Sequence, residues 1–544
     1  MKLSILSVLP LAAGALASNC TSPSGLTVRT STGSFTGLID PEFPHTRQFR
    51  SIPFAEPPVA SRRWLPPQKL APSPSVHRWS TKFPPSCPQY FPATVSMWNL
   101  NLTQGNLVYN GAQNDTSGLV GEATSEDCLH LAVWTPTGEA PAGGFPVMFF
   151  MTGGGFSLGG VELPWQMPTS WVERSQSHIV VSVNYRVNIF GFPNARGLPA
   201  GEQNLGILDQ RLALEWVRDN IAAFGGDPTR ITSWGRSAGA VSVDLHTYAW
   251  PEDPIAQAFY MESGAAWTTS PISDSTYSSF SLVARNVGCG APCGRECADD
   301  DEHAAAELDC MRQVSMIQIS NFIGQYTERG ETPGLSFGPI ADDRIVFSDY
   351  HARSEAGLIA RRPTMISATA NEGSSLVPWP TSNLTEGPWQ PPVTELGLAL
   401  FGCPTYNATV YRNRLGPDVP VFRFQYAATF PNLNVYDWLG AYHNAETPLI
   451  FGTYGLLDHI APTTDFQVEV SHSMQDHILS FVQDPYNGPQ REFGWEPMDT
   501  SAPDGGYLLR FGSYGASDGE PTERVDGIEV DGVCMGVREY NPFP

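Results

Sequence analysis

The 544-residue chain is short of positive charge: 31 Lys and Arg stand against 55 Asp and Glu, a formal net charge of -24 at pH 7. Phosphate backbones and anionic lipid headgroups would be repelled by it, which argues against a nucleic-acid or membrane-surface role. No C-x-x-C pair and no H-E-x-x-H run occurs, so the common zinc spacings are missing and no metal site is expected. Past the N-terminus no apolar run is long enough to span a bilayer, and the polar tail REYNPFP is no lipid-anchor signal. Nor is there a Pro/Ser/Gly linker, an internal repeat or a charge block that would divide the chain.

What is present points outward from the cell. Residues 1–17, MKLSILSVLPLAAGALA, combine Lys2, an apolar run and the small residues Ala15 and Ala17 around Leu16. That is the pattern of a cleaved secretory signal, too short for a stable membrane span. All nine cysteines follow it, in a compartment where disulfides form. Their odd number leaves at least one thiol free or paired with another chain. Asn19, Asn101, Asn114, Asn383 and Asn407 each open an N-x-S/T sequon, and five in one exported chain make a glycoprotein the expectation.

Four stretches fit G-x-S-x-G: Gly155–Gly159, Gly235–Gly239, Gly334–Gly338 and Gly515–Gly519. A nucleophilic serine in this pattern needs a strand before it and a helix after it, so that a sharp turn lifts the hydroxyl above a sheet. Gly515–Gly519 lies in a Gly/Ser/Asp run with Pro521 close behind, which reads as loop. Gly334–Gly338 follows ERGETP and precedes Pro339, so neither flank fits. Gly155–Gly159 follows the strand-like FPVMFFM but runs through a glycine tract into Pro164. Only Gly235–Gly239 passes: TRITSW predicts a strand before it and AGAVSVDLHTYAW a helix after it. Ahead of that strand, LGILDQRLALEWVRDNIAAFGG has helical spacing with Gly225 and Gly226 as its stop. The alternation is that of an α/β sheet, and Ser237 is the candidate nucleophile.

With these residues in view the chain resembles the type-B carboxylesterase/lipase family, the α/β hydrolases that include cholinesterases and fungal lipases. Similar pieces run in the family's order through FRSIPFAEPPV, SEDCLHLAVWTP, TGGGF, VVSVNYRVNIFGF, the long block ending in GRSAGAVSV, GPIADDR, TANEGSS and AYHNAETPLIFG. The resemblance implies a mostly parallel sheet flanked by helices, with insertions forming a gorge. It implies a triad in the order Ser, acid, His. Glu372, on the loop after the strand-like PTMISATA, is the acid, and His443, on a loop after VFRFQYAAT, is the base. Of the other late histidines, His472 and His477 fall in a helical pattern, and His459 has no counterpart in the family. The glycine tract Gly153–Gly155 becomes the oxyanion loop, with Gly154, Gly155 and Ala238 as backbone donors. Thr152 stands where the family often has His or Tyr. Cys87–Cys128 and Cys289–Cys310 match the family's first two disulfides; Cys20, Cys293, Cys297, Cys403 and Cys534 stay unassigned.

The expectation is therefore a secreted serine carboxylesterase, residues 18–544 forming one α/β-hydrolase domain, acting on a small-molecule ester without metal or organic cofactor. Two rivals remain. An interfacial lipase would use the Cys87–Cys128 loop as an amphipathic lid, but two sequons and much Asn, Gly and Thr make an apolar face hard to draw there. A catalytically silent binding module, as in adhesion proteins, would typically lack part of the triad. One departure stands out. Many relatives carry Glu before the serine, whereas this chain has Arg236, and the cholinesterase choline-pocket tryptophan position is Gly118, with Trp98 earlier in that loop. Arg236 either pairs with a buried carboxylate or faces substrate, where it would disfavour choline esters.

Overall fold

Residues 25–90, 96, 124–268, 277–290 and 301–544 are described in the computed structural model. The signal segment, Cys20, Cys293, Cys297, Asn19, Asn101, Asn114, Trp98, Gly118 and most of the Cys87–Cys128 loop lie outside those residues.

Fourteen strands are assigned among the described residues. Along the first half of the chain these are β1 (Thr27–Thr30), β2 (Gly33–Thr36), β3 (Leu38–Ile39), β4 (Thr46–Pro53), β5 (His77–Trp79), β6 (His130–Pro136) and β7 (Phe145–Met151). The second half adds β8 (Ile179–Val183), β9 (Gly226–Arg236), β10 (Ala258–Glu262), β11 (Thr364–Thr369), β12 (Val421–Tyr426), β13 (Tyr507–Phe511) and β14 (Thr522–Asp526). Strands β1, β2 and β5 form a small sheet of their own, and the other eleven form one sheet in the order β14-β13-β12-β11-β10-β9-β7-β8-β6-β4-β3. From β8 across to β13 every neighbouring pair is parallel; the antiparallel pairs sit at the two edges.

Strands β7, β8, β10, β11 and β12 are buried along their whole length because both faces are covered, as parallel sheets require. Along β7 the period of two sends Val147, Phe149 and Met151 into one core and Met148 and Phe150 into another. Helices α1 (Leu205–Asn220) and α2 (Ala238–Ala249) close the first core with Leu212, Val217, Val241 and Leu245. Helix α3 (Asp465–Gln483) closes the second with Val470, Met474 and Ile478. No helix among the described residues is long and apolar enough to cross a membrane. The chain joins Cys87 to Cys128 and Cys289 to Cys310, and also Cys403 to Cys534, which the sequence left unassigned. Asn383 is exposed, while Asn407 is half-buried in a helix, Cys403–Asn413.

This topology sets the site. Each parallel strand delivers its following loop to the same edge of the sheet, so the residues after β7, β9, β10, β11 and β12 converge there.

Candidate active site

Ser237 occupies the single residue between the end of β9 and the start of α2, at φ 55 and ψ -122. A non-glycine residue holds such a backbone only when its surroundings impose it. Here they do. The Ser237 N–H donates to Glu262 O at 2.8 Å, and Val241 N–H donates to Ser237 O at 2.9 Å. The flanking glycines are steric necessities: a Cβ on Gly235 would lie 2.2 Å from Gly239 O, and one on Gly239 would lie 1.9 Å from Met151 O. The pattern G-x-S-x-G thus records two close approaches, helix to strand and helix to the neighbouring strand. The other three serines lack this frame. Ser157, Ser336 and Ser517 are exposed in loops or turns.

The glycine tract crosses beside the serine. A Cβ on Gly153 would fall 2.9 Å from the Ser237 Cβ, and Gly154 and Gly155 have φ of 121 and 61. Its base is held by the Tyr185 hydroxyl donating to Thr152 O at 2.7 Å and by Thr152 Oγ1 donating to Gln166 Oε1 at 2.7 Å. Its far end is gripped by Gln89, which donates to Gly159 O at 2.8 Å and accepts from Gly159 N–H at 2.9 Å. Thr152 therefore anchors the tract through its hydroxyl. Just beyond, Glu162 is buried against the Ser86 hydroxyl at 3.4 Å. Burial pushes its carboxyl up to about 8, against the opposing pull of Ser86.

Glu372 and His443, expected from the resemblance to be acid and base, lie side by side. His443 Nδ1 lies 2.5 Å from Glu372 Oε2, and both are buried. The second oxygen, Oε1, accepts from the Ser263 hydroxyl at 2.6 Å and from Thr369 N–H at 2.7 Å. With both carboxylate oxygens occupied, Glu372 is fixed in place. The two loops are stitched as well: Asn371 N–H donates to Ala441 O at 2.8 Å, and the Ser374 hydroxyl to Leu439 O at 2.7 Å. The Phe401 ring stacks on the His443 imidazole at 4.4 Å. Because Ser263 directly follows Glu262, the strand end that bonds Ser237 also bonds Glu372. Among the described residues the Ser237 hydroxyl itself has no hydrogen-bond partner. The rival histidines stay away: in α3, His477 stacks on Phe493 at 3.8 Å and bonds Ser473 O at 2.7 Å.

Arg236, paired in register with Glu262, is buried with 7% of its surface exposed. Burial lowers its pKa, while Glu262, Glu446 and Glu372 oppose that shift. Its Nε is buried without a partner, and among the described residues its guanidinium makes no hydrogen bond and no ion pair. Burial likewise lifts the Glu262 carboxyl to about 7 and Glu446 well above its ordinary value. No group of three or more metal-ligating side chains is found among the described residues.

Two residues here carry no motif: Ser263 and Phe401 are single positions whose neighbours in sequence say nothing of their neighbours in space, while Glu446 lies unremarked within AYHNAETPLIFG.

Comparison with known proteins bears on this geometry. A family model described as the carboxylesterase family matches residues 24–387. A chlorogenic acid esterase from Aspergillus niger is 37% identical over 531 residues, spanning 94% of this chain and 95% of that protein. Secreted lipase 5 of Gibberella zeae is 37% identical over 509 residues, spanning 89% and 90% respectively. Lipase 4 of Diutina rugosa is 33% identical over 346 residues, spanning 60% and 58%.

Proposed function

Since this chain belongs to the carboxylesterase family and is a carboxylic ester hydrolase of α/β-hydrolase fold, we propose that Ser237, His443 and Glu372 are its catalytic triad, in a secreted enzyme whose residues 18–544 form one domain. The observation that carries this reading is the backbone of Ser237, held at a strand-to-helix turn by Glu262 O, one residue before the Ser263 hydroxyl that holds Glu372.

The chemistry follows from the parts. Ser237 Oγ attacks the ester carbonyl as His443 Nε2 accepts its proton, a contact that is often long in ligand-free enzymes. Glu372, bonded to Nδ1, fixes the tautomer that leaves Nε2 free to accept, and it stabilises the imidazolium that forms. The carbonyl oxygen becomes an oxyanion facing the N–H groups of Gly154, Gly155 and Ala238, which need no reorganisation to receive it. His443 then protonates the departing alcohol, and water repeats the sequence on the acyl-enzyme to release the acid.

For the substrate we take the relative named chlorogenic acid esterase as the guide and assign an ester of that kind. Relatives named lipases support a second reading, cleavage of long-chain esters at an interface. Initial rates on chlorogenic acid, on a short-chain p-nitrophenyl ester and on emulsified triacylglycerol separate the two. Turnover of the dissolved esters with no rate jump at the emulsion supports the esterase. A steep jump at the emulsion supports the lipase, and no hydrolysis of any ester overturns both.

A further inference from the structure

Six other arginines buried among the described residues have their charge matched at short range, Arg211 by Asp253 and Arg510 by Glu523 among them. Arg63 lies 2.6 Å from Glu126, Arg186 2.8 Å from Asp209 and Arg423 2.8 Å from Asp531, and Arg412 is paired with Asp244. Those pairings follow the rule that a buried charge without a partner is costly. Arg236 breaks it. It is buried too, yet its guanidinium forms no hydrogen bond and no ion pair among the described residues, whereas Arg423, whose Nε and Nη1 are also without a partner, still donates to Asp531 through Nη2.

The nearby carboxyls do not fill the gap: none of them forms an ion pair with Arg236 among the described residues, and Glu446 Oε2 has no partner of its own there. Glu262 accepts from Trp234 Nε1 at 2.9 Å and from Thr447 Oγ1 at 3.3 Å. Glu372 is taken up by His443, Ser263 and Thr369. Glu446 is reached by the Ser263 hydroxyl at 3.4 Å. Three buried acids lower the cost of a cation here without using its donors.

Its place matters as much as its isolation. A Cβ on Gly153 would lie 2.9 Å from Arg236 Nη2 and 2.9 Å from the Ser237 Cβ. The guanidinium and the serine therefore flank the same glycine at the start of the oxyanion tract. A guanidinium is a planar fork of N–H donors that matches a carboxylate two-to-two, which a lysine cannot do.

We propose that Arg236 is a specificity residue that receives a carboxylate carried by the ester substrate close to its scissile bond, so that anionic esters are this enzyme's preferred class. The proposal rests on Ser237 being the nucleophile. A purely structural Arg236, there only to balance Glu262 and Glu446, would affect charged and uncharged substrates alike.

The test uses two probe pairs of matched shape: mono-p-nitrophenyl glutarate against p-nitrophenyl pentanoate, with the charge on the acyl side, and meta-acetoxybenzoate against meta-tolyl acetate, with the charge on the leaving group. In at least one pair, Arg236→Gln should lower kcat/KM for the charged ester by roughly tenfold more than for its neutral partner, the loss of one charge-assisted contact. Arg236→Lys, which keeps the charge but not the fork, should show a smaller loss of the same sign and serves if the glutamine variant fails to fold. Equal losses within both pairs, or no change in either, would overturn the proposal while the esterase reading stands. A wild-type enzyme that cleaves none of the four would overturn both.

Discussion

Gly155–Gly159 and Gly235–Gly239 share one five-residue pattern, and the chain just before the first, at Gly153, lies against the second, yet their first glycines serve opposite needs. In the first, Ser157 sits exposed in a turn with its hydroxyl on Gly155 O at 3.3 Å, and a Cβ on Gly155 would meet nothing. In the second, both glycines are pressed against backbone, and the serine between them is forced to φ 55. In the first segment Gly155 serves freedom of the main chain and only Gly159, whose Cβ would lie 2.7 Å from Gly153 O, serves close packing; in the second both glycines do. A pattern names a nucleophile only when packing on both sides enforces the turn.

The largest expected effect breaks the pair apart at the serines. Ser237→Ala should lower kcat by about a thousandfold or more with the fold retained, and adding His443→Ala should cost little beyond that, because the two act as one unit. Ser157→Ala should change kcat by less than about twofold. Steady-state rates with circular dichroism as a fold control decide it; independent, multiplying losses would count against the assignment.

Next comes the acid behind the second segment. Glu372→Gln should cost about a hundredfold or more in kcat, since the amide can hold the wrong tautomer of His443. Ser263→Ala removes one of the two hydrogen bonds to Glu372 Oε1, leaves the Thr369 N–H in place, and should cost less than about tenfold.

The glycines give a smaller, thermodynamic contrast. Gly239→Ala forces a methyl group into Met151 O and should destabilise the fold by about 3 kcal/mol. At Gly155 the space is open and only the positive φ resists, so alanine there should cost about 1 kcal/mol. Urea denaturation midpoints at constant m compare the two.

A pH-dependent contrast concerns Glu162, just beyond the first segment. Glu162 takes up its proton in the folded chain at about 8, against an ordinary value of 4.5. Between those pH values the folded chain holds a proton that the unfolded chain has released, so this group's contribution to stability declines as pH rises from 4.5 towards 8. Glu162→Gln should flatten that part of the Tm-versus-pH curve, and an unchanged slope would count against the assignment.

Much of this was legible in the sequence because the deciding signals were local. The strand-like TRITSW and the helix-like AGAVSVDLHTYAW flank Ser237 in the chain as they do in space. Glu372 and His443 came from family resemblance and meet at 2.5 Å. Contacts between distant segments were not legible. Ser263 reaches Glu372 across 109 positions, and Cys403 joins Cys534 across 131. For Arg236 the sequence offered a buried carboxylate partner or a substrate-facing role. The carboxylates proved to be near, yet none pairs with it among the described residues, a distinction that only side-chain geometry could draw.

Covalent trapping tests the assignment of Ser237 most directly. A diethyl p-nitrophenyl phosphate transfers its phosphoryl group to an activated serine with release of p-nitrophenolate, and peptide mass spectrometry locates the adduct. One diethylphosphoryl group per chain is expected, on the peptide that holds Ser237, with Ser157, Ser336 and Ser517 unlabelled and labelling abolished in His443→Ala. An adduct on any of those three serines, or labelling of Ser237 that persists at full rate without His443, would contradict the account.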